Sequence, residues 1–370
     1  MYKLKGFLIL IIFILCGMLF SEKCYAETYD YGVNELNDAV PDEVSGYFNE
    51  NNISADGQGI TELTLEKILN DIIGAITANI KQPALMFASL LAVIILTSVI
   101  GGLSNAAENS AVGQVFSLVS ALTAIIIIAS YLSNALNGIN NAISSASGFM
   151  LTYIPVIAGV IAIGGHASTA AIFSSVMMIS IQILTQITTN VLFPLTSCLL
   201  GISAAGGINT DLKIDKLGEG LKKAVVWGLG LIMTIFIGFL TLQSSITAST
   251  DSVTLRAARF AVSTGVPFVG GAVSDALSTV KASIELLKTG IGSFGILTGV
   301  CILSPVLINA LCYRFFLFLS GIISDIFGSD DTSRMIKCGE NVLSIVISMI
   351  ICFFVFITIS TALLLLICRK

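Results

Sequence analysis

The sequence predicts an all-α polytopic membrane protein, and three observations lead there. Of the 370 residues, 55% are hydrophobic and only 11% charged. The mean hydropathy is +0.95, more apolar surface than a soluble core of this size has use for. Several uninterrupted apolar runs reach the roughly 20 residues that cross a bilayer as a helix. The charges are also segregated. Residues 27–84 carry eleven carboxylates and two lysines, a net of -9, whereas residues 85–370 carry eleven carboxylates and thirteen Lys/Arg, a net of +2. Neither half is built to grip nucleic acid, and membrane lipid is the expected surrounding. The expectation is seven to nine transmembrane helices, with re-entrant or amphipathic helices between them.

Lys3 and Lys5 precede an apolar run from Gly6 to Phe20, and Cys24-Tyr25-Ala26 supplies small residues at the -3 and -1 positions of a cleavage site. Residues 1–26 therefore read as a cleaved export signal. An uncleaved first span is the alternative. Residues 27–84 follow as an exported acidic segment, with turn formers at Asp56-Gly57-Gln58-Gly59. Thr61, or Thr64 after it, is placed to cap a helix through Leu65, Ile68, Leu69, Ile72, Ile73 and Ile76. That apolar face needs a partner: the membrane, the bundle, or another protein docking on the exported segment.

The multispan domain is residues 85–370. Runs 85–103 and 115–136 are each long enough to span. From Asn109 to Thr210, 102 consecutive residues carry no formal charge, His166 apart. Within them 149–165 contains Pro155 and is short enough to be re-entrant. Residues 170–205 make one tilted span or a hairpin broken at Pro194. Residues 206–223 form a basic loop with Lys213, Lys216, Lys222 and Lys223, placed in the cytosol by the positive-inside tendency. These four lysines are candidate contacts for a cytosolic partner. With residue 27 outside and residue 216 inside, an odd number of crossings, three or five, separates them. The span at 224–245 returns the chain outward, 291–327 reads as two linked spans with Arg314 near their junction, and 341–367 is the last.

One long stretch is neither span nor ordinary loop. Residues 251–289 place Arg256 and Arg259 on one helical face, then the breakers Gly265 and Pro267, then Gly270 and Gly271, then an amphipathic run with Asp275, Lys281, Glu285 and Lys288 mostly off its apolar stripe. Broken backbone at membrane depth is tolerated inside protein or beside a water-filled cavity. A conduit lining and a hairpin lying on the membrane surface are the two readings. Ile154-Pro155-Val156-Ile157-Ala158-Gly159 resembles Val266-Pro267-Phe268-Val269-Gly270-Gly271, a possible internal duplication of the kind that points to a transport pathway. Arg256, Arg259, Pro267, Gly270, Gly271, Asp275, Pro155 and Gly159 are thus the candidate conduit or partner-contact residues.

Catalytic chemistry is not expected. With His166 as the only histidine, this chain alone assembles neither a Ser-His-Asp arrangement nor a histidine-based metal cluster. No cysteine pair forms a CxxC, and no GxxxxGK[ST] sequence is present, so energy from ATP has to come from a partner. No cofactor is expected, and the chain reads as a non-enzyme.

The order of parts, together with Thr254-Leu255-Arg256, Phe260, Val266-Pro267-Phe268-Val269-Gly270-Gly271 and Ser274-Asp275-Ala276, resembles the stage III sporulation protein AE family of endospore-forming bacteria. The resemblance implies a protein of the mother-cell membrane that surrounds the forespore. It implies partners among other stage III sporulation proteins, including an ATPase and ring-forming components, in a secretion-like channel that sustains the forespore after engulfment. It supplies no catalytic residue. Two other classes stand beside a channel component: a self-sufficient secondary transporter, which would move solute down an ion gradient when purified, and a membrane scaffold, which would recruit proteins and conduct nothing.

Overall fold

The computed structural model describes residues 32–57, 59–60, 63–106, 110–206, 216–239 and 270–367. Among these every regular element is helical. Two short helices, α1 (Val33–Asp38) and α2 (Asp42–Glu50), precede α3 (Leu65–Asn79), α4 (Lys81–Ala106) and α5 (Ser110–Ile163). Then come α6 (Ala167–Ile187), a π-turn (Thr188–Leu192) and α7 (Phe193–Gly206) as one continuous rod. The bundle is completed by α8 (Lys216–Phe239), α9 (Gly270–Ile326) and α10 (Asp330–Ile367).

Six helices among the described residues are long and apolar enough to cross a membrane. The difference from seven to nine has an identifiable source. The runs 115–136 and 149–165 are one unbroken helix, α5, with Pro155 inside it. The run 291–327 is likewise single, with Pro305 inside α9 and Arg314 in mid-helix. No hairpin forms at Pro194. A proline deletes one backbone hydrogen bond, but breaking the helix in an apolar setting would strand several polar backbone groups. Pro155 also points its ring outward while Tyr153, Ile154, Val156 and Ile157 around it are buried. At Pro194 the chain widens into the preceding π-turn, a common way to absorb a missing donor.

At 1.5 Å per residue the 54 residues of α5 extend about 80 Å and the 57 of α9 about 85 Å. Side-chain contacts give a ruler along them. At one end Tyr153 of α5 meets Gly295 of α9, where an added Cβ would lie 2.3 Å from the ring. Further along, Ile128 and Leu317 close on Gly339 of α10. At the far end Ser117 donates to Asp331 at 2.6 Å. α10 is the most enclosed of the six, with Phe353, Phe356, Met349 and Ile350 all fully or nearly fully buried. α8 lies on its outside, with Phe236 stacked on Phe356 at 4.5 Å.

Residues 32–60 fold onto the Tyr153 end. Leu36, Val44, Phe48, Ile53 and Ala55 join the same core as the long helices, and Phe48 packs on Phe294 at 5.3 Å. Backbone meets backbone at Gly57 and Gly290, where a Cβ on Gly57, itself at φ +92°, would lie 2.7 Å from the Gly290 Cα. Thr64 caps α3, its hydroxyl accepting from the Lys67 amide at 3.4 Å. Tyr47 donates to Asp71 of α3 at 2.8 Å. Burial first, and then that hydrogen bond, hold the Tyr47 phenol well above its ordinary pKa. The apolar residues of α3 stay outward, with Ile73 58% exposed.

Candidate functional site

The candidates from sequence fall at different places. Arg256, Arg259, Pro267 and Lys213 lie outside the described residues. Gly270, Gly271 and Asp275 occupy the first two turns of α9, which runs without a break through 289 into its apolar part, so the amphipathic run and the next span are one rod. Lys288, read from periodicity as mostly off the apolar stripe, is buried. His166 sits in the turn between α5 and α6, after Gly165 at φ +92°.

The basic cluster lies at the opposite end from residues 32–60. Lys216 and Lys223 are exposed and Lys222 is half-buried at the start of α8, where Gly218 abuts Asn341 of α10. Lys223 and Glu219 form an exposed pair at 4.0 Å, a contact of little energetic weight. Nearby, the Glu340 carboxylate lies in the field of Arg314, Lys222 and Lys337. Asp325 accepts from Ser333 at 2.5 Å and pairs with Lys337 at 3.9 Å. Asp331 pairs with Arg334 at 3.7 Å besides its bond to Ser117. These groups tie α5, α8, α9 and α10 together at one end. Among the described residues, three passes along the bundle (α3 with α4, α5, and α6 with α7) separate residues 32–60 from that basic end.

Pro155 and Gly159 turn out to belong to a longer feature that the sequence reading missed. Asn134, Asn137, Asn141, Ser144, Gly148, Pro155 and Gly159 are exposed on α5, with Thr152 half-exposed among them. Their spacing of three or four places them on one face. A Cβ added at Gly148 or Gly159 meets nothing within 4 Å. On the adjacent α6 and π-turn, Gln182, Gln186 and Asn190 are exposed at spacings of four, with Asn190 donating to Gln186. The two helices are joined by Thr185 donating to Ser147 at 2.8 Å. The signal available in the sequence is an Asn/Ser recurrence at helical period in a charge-free run.

An unpaired amide moved from water into alkane costs about 4–8 kcal/mol, so a row of carboxamides does not face hydrocarbon unaided. The outer faces of other helices contrast with it. Leu231, Ile235 and Phe239 of α8 are exposed, Ile235 by 63%. Among the described residues no group of three or more His, Cys, Asp or Glu is placed to hold a metal ion.

The profile described as Stage III sporulation protein AE matches residues 50–364. The chain belongs to that family. A relative named "Stage III sporulation protein AE", from Bacillus subtilis (strain 168), is 27% identical over 238 residues, which are 64% of this chain and 60% of the relative. The aligned part therefore spans less than two thirds of that relative's length. No solved structure matches. Family membership makes this a sporulation protein, and its apolar helices make it a multi-pass membrane protein.

Proposed function

We propose that the chain is a non-enzymatic membrane component of a channel or secretion-like complex that links mother cell and forespore and sustains forespore development after engulfment. In this reading it sits in the mother-cell membrane around the forespore. Residues 1–26 direct export, residues 32–60 and their seat on α5 and α9 face the intermembrane space, and the lysines at the start of α8 face the cytosol. Its partners are other stage III proteins, with an ATPase on the cytosolic side and ring-forming components on the other.

The observation that carries the reading is the height of the bundle. The apolar core of a bilayer is about 30 Å thick, and α5 and α9 are each more than twice that, with charged and hydrogen-bonded clusters at one end and the folded segment 32–60 at the other. Such a body projects from the membrane and offers protein-facing surfaces beyond lipid, as a component clamped between other proteins requires.

The test is deletion of the gene in its spore-forming host, following forespore size and late forespore transcription after engulfment, with the intact gene restored as control. Collapse or silence of a fully engulfed forespore is expected. Normal spores would overturn the reading.

A further inference from the structure

We propose that the exposed polar face of α5, from Asn134 to Gly159, is one wall of an aqueous path across the membrane, lined by carboxamides, small groups and a proline and carrying no formal charge, and enclosed when copies of this chain associate. The inference names the conduit within the channel reading and rests on that reading only for its biological setting.

Three observations converge. The first is length: from Asn134 to Gly159 the face advances 25 residues, about 37 Å along the axis, enough to cross a hydrocarbon core of about 30 Å. Every position on it is Asn, Ser, Thr, Gly or Pro. The second is level. Ile357 closes on Gly299 of α9, one turn from the Gly295–Tyr153 contact, and Phe236 stacks on neighbouring Phe356. The apolar outer face of α8 (Leu231, Ile235, Phe239) is thus at the depth of Gly148 and Thr152. At that depth the outward face of α5 is Ser144, Gly148 and Thr152, with Gln182 and Gln186 of α6 exposed beside it. Two outward faces at one depth, one apolar and one polar, face different media.

The third is unmet demand for hydrogen bonds beside the face. The Asn140 Oδ1 and Thr188 Oγ1 atoms are buried without a hydrogen-bond partner among the described residues. They belong to the stretch of α5 and α6 just past the Thr185–Ser147 bond, where the helix widens into the π-turn and Gln186 and Asn190 are exposed. Ordered water held between the helices satisfies such buried groups, and lipid does not.

A wall of uncharged groups, carboxamides at one end and small or hydroxyl-bearing residues along the rest, selects by size and not by charge sign, because no fixed charge along it repels either sign. The solute class is therefore small and hydrophilic, cation or anion alike. One stripe on the outside of one bundle does not close a pore, so enclosure needs further protein, most simply a ring of copies of this chain.

Single cysteines at Asn137, Asn141, Ser144 and Gly148, with Ile235 and Leu231 as lipid-facing controls, test this in the full chain in membrane vesicles. Labelling is measured above the parent protein with membrane-impermeant methanethiosulfonates, one cationic and one anionic. These reagents react with the thiolate, which forms in water and not in lipid. The expected result is labelling at all four positions roughly tenfold or more faster than at the controls, and by both reagents at similar rates. Rates equal to the controls would overturn the wall. So would protection from both reagents together with cross-linking between copies at Asn137, which would make the face a carboxamide zipper. A strong preference for one reagent would overturn the charge-blind lining. Because the readout does not use spores, labelling in a chain dispensable for sporulation would remove the channel reading and leave the aqueous wall standing.

Discussion

α10 and α5 are both long, apolar and dotted with polar side chains, yet they handle them in opposite ways. In α10 four hydroxyls of the apolar part are turned onto their own helix, whereas Ser333 near its start reaches Asp325 of α9 and the Thr361 hydroxyl is buried without a partner among the described residues. Ser344 donates to the Glu340 carbonyl at 2.8 Å, Ser348 to that of Ser344 at 2.7 Å, Ser360 to Phe356, and Thr358 to Phe354. A short hydroxyl that back-bonds to residue i−4 asks little else of its surroundings, so α10 sits at the centre of the bundle. The carboxamides of α5 carry two donors and an acceptor with two lone pairs, and one back-bond leaves most of that capacity open. Asn134, Asn137 and Asn141 lie on the outside, and Asn140 is only partly exposed with its Oδ1 buried. What separates a packing helix from a surface-forming one is thus the hydrogen-bond capacity left over after the backbone has been used.

The largest expected effect is at the enclosed helix. Phe353→Ala removes a fully buried ring and should cost about 3–5 kcal/mol, read as loss of the folded, detergent-stable protein by thermal unfolding. If the same change were harmless, α10 would not be the packing centre. Next, Gly295→Ala places a methyl 2.3 Å from the Tyr153 ring and should destabilise by about 1–3 kcal/mol in the same assay. Gly148→Ala on the open face of α5, which meets nothing, should leave stability unchanged or slightly raised.

Tyr47 offers a third way of satisfying a polar group, through another element. Its phenol pKa is raised, so the docking it supports is fully present below the ordinary tyrosine pKa of about 10 and is lost as pH rises above that value towards the folded-state pKa. Protease protection of residues 32–60 should therefore fall in strong alkali. Tyr47→Phe should weaken docking by about 0.5–1.5 kcal/mol and remove this contribution to the alkaline fall. A small effect is expected at Ser344→Ala, within about 1 kcal/mol and with normal sporulation. A severe loss there would break the contrast between the two helices.

What was legible in the sequence was local. Thr64 announced the start of α3 because a cap is a contact between residues three apart, and the runs at 85–103 and 341–367 announced α4 and the apolar part of α10 by length alone. The proline positions misled, since the penalty of Pro155 or Pro194 is a local quantity whereas the benefit of an unbroken helix comes from apolar neighbours elsewhere in the chain. Arg314 looked like a turn because the charges that accommodate it, Glu340 among them, come later in sequence. Of the candidate site, Pro155 and Gly159 were picked out as helix interruptions, whereas both lie within the unbroken α5 on its exposed polar row. The stretch around Arg256 and Arg259 lies outside the described residues.

The seat of Phe48 on Phe294 also sets a timetable. The two rings are about 250 residues apart in the chain, and at a synthesis rate of about 5–20 residues per second the second ring emerges on the order of tens of seconds after the first. Throughout that interval Val44, Phe48 and Ile53 have no completed core to enter. A factor that shields the newborn segment would therefore act on the yield of assembled protein without touching its final stability.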